Sequence, residues 1–331
     1  MAPPYSKPLL DLSGNINKDG ALPFVTDGQI FVSYDMKVPG RNNHTGIIIP
    51  SGHSAGATID MILYFHGDGA PPIKDYFRNR KFKDIIDASR ANVILVAPQL
   101  GTSSEFGNFA NASDIIAYLK AMLGFLVDYG PYNSAPVIGN LILAAHSCGG
   151  RGMQSTAAQL AGNPDFTIPE AWAFDCLYGA GNPLAAPEPL RVAEAGHKSA
   201  GSLEDWERLN NAAEEFRWAF WTRAVSGRVF KAFWGAGGTK TRTANLDLWS
   251  LLKDAQRTIQ VDPHFFKSER KPLFQREDTK GDRIDVNPRS PGIAWETVFS
   301  KIVPTPPPVA PHDLVPQTVL GECIAQSGNI R

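Results

Sequence analysis

The 331-residue sequence has no long apolar run, no excess of either charge and few cysteines, and each lack removes a class of function. No stretch approaches the ~20 apolar residues needed to cross a bilayer, so no membrane span is expected. The opening M-A-P-P-Y-S-K-P has neither the charged region nor the apolar segment of a secretory signal, and a cytoplasmic location is expected. The 32 basic and 33 acidic residues nearly cancel, and no basic run is interleaved with aromatics. Nucleic acid is therefore not an expected partner. Three cysteines, Cys148, Cys176 and Cys323, are an odd number and build no disulfide framework. His-Glu-x-x-His is missing, Cys148 and Cys176 have no ligand partner two residues away, and no Gly-Lys-Ser/Thr follows the Gly-rich stretch 235–239. Neither a metal nor a cofactor is expected, and that loop is not a phosphate cradle. There is no internal repeat.

What is present is an alternation of apolar runs with segments of helical spacing. Residues 29–34 (Q-I-F-V-S-Y) and 45–50 (T-G-I-I-I-P) flank P-G-R-N-N-H and read as an antiparallel pair. Residues 58–65 and 92–97 read as buried strands, the first ending in His66-Gly67-Asp68-Gly69 and the second closed by Pro98. A short helix is expected over 81–89, and a longer one over 113–129 with Ser113 as its N-cap. Further strands are expected at 170–177, 228–234 and 297–303, and a closing helix over 314–326. Strands alternating with helices predict a mainly parallel sheet covered on both faces, with the antiparallel pair at its edge. A single domain over 1–331 is expected, with a cap-like insertion at about 180–225 and a polar surface excursion at about 240–295. Trp206, Trp218, Trp221 and Trp234 suit either an apolar acyl pocket or core packing.

The most informative stretch is 140–153, N-L-I-L-A-A-H-S-C-G-G-R-G-M. An apolar strand runs into His146-Ser147-Cys148-Gly149-Gly150, and a segment of helical composition follows. A lone serine on a tight turn between strand and helix is a nucleophile elbow: the turn lifts the hydroxyl clear of the sheet, and Gly149 lets the helix pass close behind. The backbone N–H of Cys148, at the helix N-terminus, then faces a developing oxyanion. The pentapeptide is A-H-S-C-G, with Ala145 in place of the usual first glycine.

Three further features fit a Ser147 nucleophile. Gly67 and Gly69 allow the loop after the 58–65 strand to turn amides inward, the N–H of Asp68 or of Gly69 being the second oxyanion donor. Among seven histidines (44, 53, 66, 146, 197, 264 and 312), His66 and His146 are expected to support the two loops. His312, between a Pro-rich loop and the closing helix, is the expected base, with His264 as the alternative. Asp175 ends an apolar strand in F-D-C-L-Y-G, where an unpaired charge would be costly, and is the expected acid. Asp247 and Asp262 are the alternatives.

Together these residues resemble the α/β-hydrolase superfamily, with the acid placed as in pancreatic-type lipases. The resemblance covers about residues 28–180 and, more weakly, the end from 297; residues 180–296 have no counterpart. It implies acyl transfer by a Ser147–His312–Asp175 triad with an oxyanion hole from Cys148 and the Asp68–Gly69 loop. The expected reaction is hydrolysis of a carboxylic ester of small-molecule size. An amidase or peptidase with the same triad, or a catalytically silent binding protein on the same fold, are the rivals. The oligomeric state is not legible.

Overall fold

The computed structural model describes residues 29–33, 45–100, 109, 111–129, 132–178, 217–218, 221, 225, 228–234, 241, 282–286, 296–299 and 311–330. The chain forms two compact units. The first comprises Met1–Gln159, Pro164–Ile168 and Val319–Arg331, and the second Leu160–Asn163 and Pro169–Thr318. Most of the 180–225 and 240–295 stretches lie outside the described residues, as do Asp247, Asp262 and His264.

In the first unit, β1 (Gln29–Ser33), β2 (Thr45–Ile49), β3 (Thr58–Phe65), β4 (Val93–Pro98) and β5 (Val137–His146) form a sheet ordered β1-β2-β4-β3-β5. β1 and β2 pair antiparallel, β2 joins β4 antiparallel, and β4, β3 and β5 are parallel. The parallel strands are apolar without interruption because both their faces are covered: Met61 to Phe65, Val93 to Ala97 and Leu141 to Ala145 are all buried. β4 includes Pro98, which pairs with Thr45 at the strand's last position instead of merely closing it.

Helix α1 (Ile73–Asn79) follows β3 and was not expected from the sequence; α2 (Phe82–Ser89) comes next. The two bury Phe77, Phe82 and Ile86. α3 (Ala112–Tyr129) buries Ile115, Tyr118, Leu119, Met122, Phe125 and Leu126, one stripe at helical spacing. Its N-cap is Asn111 and not Ser113. The Asn111 Oδ1 accepts from both the N–H (3.0 Å) and the hydroxyl (2.7 Å) of Ser113, which already lies in the first turn. The C-terminal segment is tied in by Asn140, whose Nδ2 donates to the Asn329 carbonyl at 2.7 Å.

The second unit carries β6 (Glu170–Phe174) and β7 (Val229–Trp234), which are parallel, and β8 (Asp282–Val286) and β9 (Glu296–Phe299), each antiparallel to its predecessor. β8 falls in a stretch whose charge had read as surface chain. β6 is shorter than the 170–177 expected, so Asp175 stands just past its end. Trp218 stacks on Phe230 (4.6 Å between centroids) and meets Trp221 edge-on (5.5 Å), both indoles being fully buried. For these two tryptophans, core packing is what the structure shows. On the neighbouring strands, buried Lys231 lies 3.6 Å from the Glu170 carboxylate, which also accepts from the Trp172 indole at 2.9 Å. The closing helix α5 (Pro311–Ala325) starts three residues earlier than the sequence suggested.

Parallel strands β4, β3 and β5 with helices between them, an antiparallel pair at their edge and a strand–serine–helix turn after β5 define the class. The fold is that of the α/β-hydrolases. No helix among the described residues is long and apolar enough to cross a membrane.

Candidate active site

The chain enters Ser147 from the end of β5 and leaves it through a single 3-10 turn (Ser147–Gly149) into α4 (Gly150–Gln159). His146 is extended (φ −120°, ψ 138°) and Ser147 is left-handed (φ 52°). A non-glycine residue there costs about 1–2 kcal/mol and persists only where its surroundings hold it. The surroundings are tight. A Cβ on Gly149 would stand 2.3 Å from the Phe65 carbonyl oxygen and 2.6 Å from that of His66, so only glycine lets α4 start against the end of β3.

The loop after β3 lies directly against the serine: a Cβ on Gly67 would come within 2.7 Å of Ser147 Cβ and 3.3 Å of its Oγ. Of the two loop amides singled out by the sequence, that of Gly69 donates to the Asp68 carboxylate at 2.8 Å. The Asp68 N–H has no hydrogen-bond acceptor among the described residues. Cys148 is partly exposed beside Ser147.

Both loop histidines turn inward. His146 Nδ1 lies 3.5 Å from the Tyr76 hydroxyl, which is itself 2.8 Å from the Tyr64 hydroxyl. His66 is buried, its Nδ1 hydrogen-bonds the Gly67 carbonyl (2.7 Å), and its Nε2 accepts the Leu100 N–H (2.8 Å). Burial pushes its pKa below the ordinary 6.5, against a smaller upward pull from the Gly67 carbonyl. In the unfolded chain the imidazole takes up a proton near 6.5, whereas the folded protein takes it up only at lower pH. Stability from neutral His66 is therefore complete above pH 6.5 and is lost as pH falls from there through the depressed folded value. Chemical unfolding between pH 8 and pH 5 should show this loss, and His66→Gln should flatten that part of the profile.

In the second unit, Asp175 follows β6 in the left-handed region (φ 49°), with its N–H donating to the Phe233 carbonyl at the end of β7 (2.7 Å). Among the described residues, four non-glycine residues have positive φ. Lys81 and Arg90 flank α2, and the other two are Ser147 and Asp175, each at the end of a parallel strand. Aspartate tolerates this region better than most residues. The Asp175 side chain is fully buried, and its Oδ2 is 2.6 Å from His312 Nδ1. Its Oδ1 is buried with no hydrogen-bond partner among the described residues.

His312 lies in the first turn of α5, one residue after Pro311, which suits a first helical position. Pro316 has no N–H to bond to the His312 carbonyl four residues earlier. The bond to Asp175 holds the imidazole. With the carboxylate accepting, the Nδ1 carries the proton and Nε2 is left bare, the form a general base needs.

No protein-family model matches the chain, and no curated protein matches it. Solved structures similar to it include an S-formylglutathione hydrolase from Agrobacterium tumefaciens (13% identity, 59% of this chain and 72% of that one, TM-score 0.35). Esterase B from Lactobacillus rhamnosis, inhibited by a tributyrin phosphonate, is similar at 11% identity over 70% of this chain and 73% of that one, TM-score 0.39. An acetyl xylan esterase from Aspergillus awamori matches at 11% identity over 43% of this chain and 50% of that one, TM-score 0.31. At these identities and TM-scores no activity is carried over from any of them.

Proposed function

We propose that the protein is a serine hydrolase that cleaves a small-molecule carboxylic ester through an acyl-enzyme. The observation that carries the reading is the fully buried Asp175 carboxylate held 2.6 Å from His312 Nδ1, Ser147 being the other non-glycine strand end with positive φ among the described residues. A buried carboxylate that orients an imidazole, together with a strained serine on an elbow, has a direct use in acyl transfer.

In this reading Ser147 Oγ attacks the ester carbonyl while His312 Nε2 takes the hydroxyl proton. The negative charge gathers on the carbonyl oxygen, where the N–H groups of Cys148 and Asp68 would hold it. Collapse breaks the bond to the alkoxy group, which leaves with the proton from His312. Water, deprotonated by the same imidazole, then attacks the acyl-serine; collapse breaks the acyl–Oγ bond, His312 returns the proton to Ser147 Oγ, and the carboxylic acid is released. Asp175 stabilises the imidazolium in both halves without taking up a proton.

A fluorophosphonate probe tests the reading, combined with p-nitrophenyl esters and p-nitroanilides of graded acyl length. One equivalent of label per chain, located on Ser147, and faster turnover of esters than of anilides are expected. Turnover of anilides with the label on Ser147 would instead indicate an amidase. A wild-type protein that neither labels nor hydrolyses any substrate would be a binding protein on this fold.

A further inference from the structure

An oxyanion hole works only if its amides are already in place when charge develops, and here the loop that would supply one of them contains two glycines. The seven residues from His66 to Pro72 join the end of β3 to the start of α1, and both ends of this loop are tied to the two residues that follow β4. At the first end, His66 Nε2 accepts the Leu100 N–H at 2.8 Å and lies 3.3 Å from Gln99 Nε2. At the other end, the Ile73 N–H donates to Gln99 Oε1. The single Gln99 amide therefore spans the loop, one end on its entry and the other on its exit.

The chemistry of the partners leaves one arrangement. The Gly67 carbonyl can only accept, so His66 Nδ1 carries the hydrogen. The Leu100 N–H can only donate, so Nε2 is unprotonated, and the Gln99 NH2, 3.3 Å away, shares its single lone pair with that N–H. Turning the Gln99 amide over would set its NH2 against the Ile73 N–H and its oxygen against the bare Nε2, two repulsive contacts in place of two hydrogen bonds. β4 is parallel to β3, with Val96 opposite Leu63, so the anchor is the rigid sheet itself.

Resting on the serine-hydrolase reading, we propose that His66 and Gln99 are positioning residues for the oxyanion loop, acting on transition-state binding and not on substrate binding. Neither need touch the substrate. Losing the anchor would let the Asp68 amide wander from the developing charge. The expected cost is about 10- to 100-fold in kcat, below the ~10²- to 10³-fold of deleting an oxyanion donor outright.

The test compares wild type with Gln99→Ala, Gln99→Glu and His66→Gln, using a p-nitrophenyl ester and its thionoester, in which sulfur replaces the carbonyl oxygen. Gln99→Glu keeps the acceptor for Ile73 but sets a carboxylate oxygen against His66 Nε2, so it should behave like Gln99→Ala. The expected result is a fall in kcat with KM held within about twofold. The oxygen-to-sulfur ratio of kcat/KM should also fall, because sulfur accepts hydrogen bonds poorly and draws little on the hole in wild type. Gln99 is only half-buried, so its alanine variant reports even if His66→Gln does not fold. Variants with unchanged kcat, or with a lowered Tm but an unchanged oxygen-to-sulfur ratio, overturn the inference while the hydrolase reading stands. A wild-type protein that neither labels with fluorophosphonate nor turns over esters overturns both.

Discussion

Ser147→Ala is expected to remove ester turnover almost completely, lowering kcat by about 10⁴-fold or more while Tm moves little. A serine, its base and its acid act as a unit, so loss of the nucleophile leaves only binding and the oxyanion hole. A 10⁴-fold fall corresponds to about 5.5 kcal/mol of lost transition-state stabilisation. The fold should tolerate the change because one oxygen is removed and no cavity opens. The left-handed backbone at φ 52° costs alanine about what it costs serine. The close approach of Gly67 to Ser147 is made chiefly by Cβ, which alanine keeps. Circular dichroism, thermal melts and p-nitrophenyl ester kinetics on the same preparation separate the two effects. A variant that keeps more than about a tenth of wild-type activity would show that Ser147 is not the nucleophile.

The elements legible in the sequence are those whose signal is local. β3, β4 and β5 could be read because strands buried on both faces are continuous apolar runs, and α3 because its stripe repeats over 18 residues. The strand–serine–helix turn was readable because strand, small residues and helix adjoin in the chain. α1 was not, since P-P-I-K-D-Y-F is too short to show a helical period and opens on two prolines. β8, D-R-I-D-V, has charge at three of its five positions and reads as surface chain. The cap of α3 was misplaced because Asn111 and Ser113 are both good capping residues, and only the Asn111 oxygen is seen to accept. At the site, an acid at the end of an apolar strand and a histidine ahead of the closing helix could be singled out by residue type and position. What pairs with what across 137 positions could not, and the sequence reading left Asp247 and Asp262 open. Gln99 gave no signal at all, because its place depends on two contacts, 26 and 33 residues away in the chain.

Asp175→Asn should lower kcat by up to about 10⁴-fold without unfolding the protein, and it separates a catalytic carboxylate from a structural one. The wild-type carboxylate accepts from His312 Nδ1, so in the proposed triad Nε2 is the nitrogen that takes the serine proton. Asparagine is nearly isosteric but has two orientations. With its NH2 toward Nδ1 it donates, stabilises the tautomer protonated on Nε2 and blocks the base. With its oxygen toward Nδ1 the tautomer is right, but the NH2 then occupies the buried Oδ1 position, where no partner stands among the described residues. That unsatisfied donor would cost about 1–3 kcal/mol, so the inactive orientation should dominate. Even the active one lacks the charge that stabilises the imidazolium. Stability should change little or rise, since a fully buried carboxylate is replaced by a neutral group of the same shape. His312→Ala should be nearly as damaging to kcat, and combining it with Asp175→Asn should cost little more than either alone, because the acid acts only through the histidine. If Asp175→Asn retains more than about a tenth of wild-type kcat, or if the two losses multiply, Asp175 is not the triad acid, and Asp247→Asn and Asp262→Asn become the informative variants.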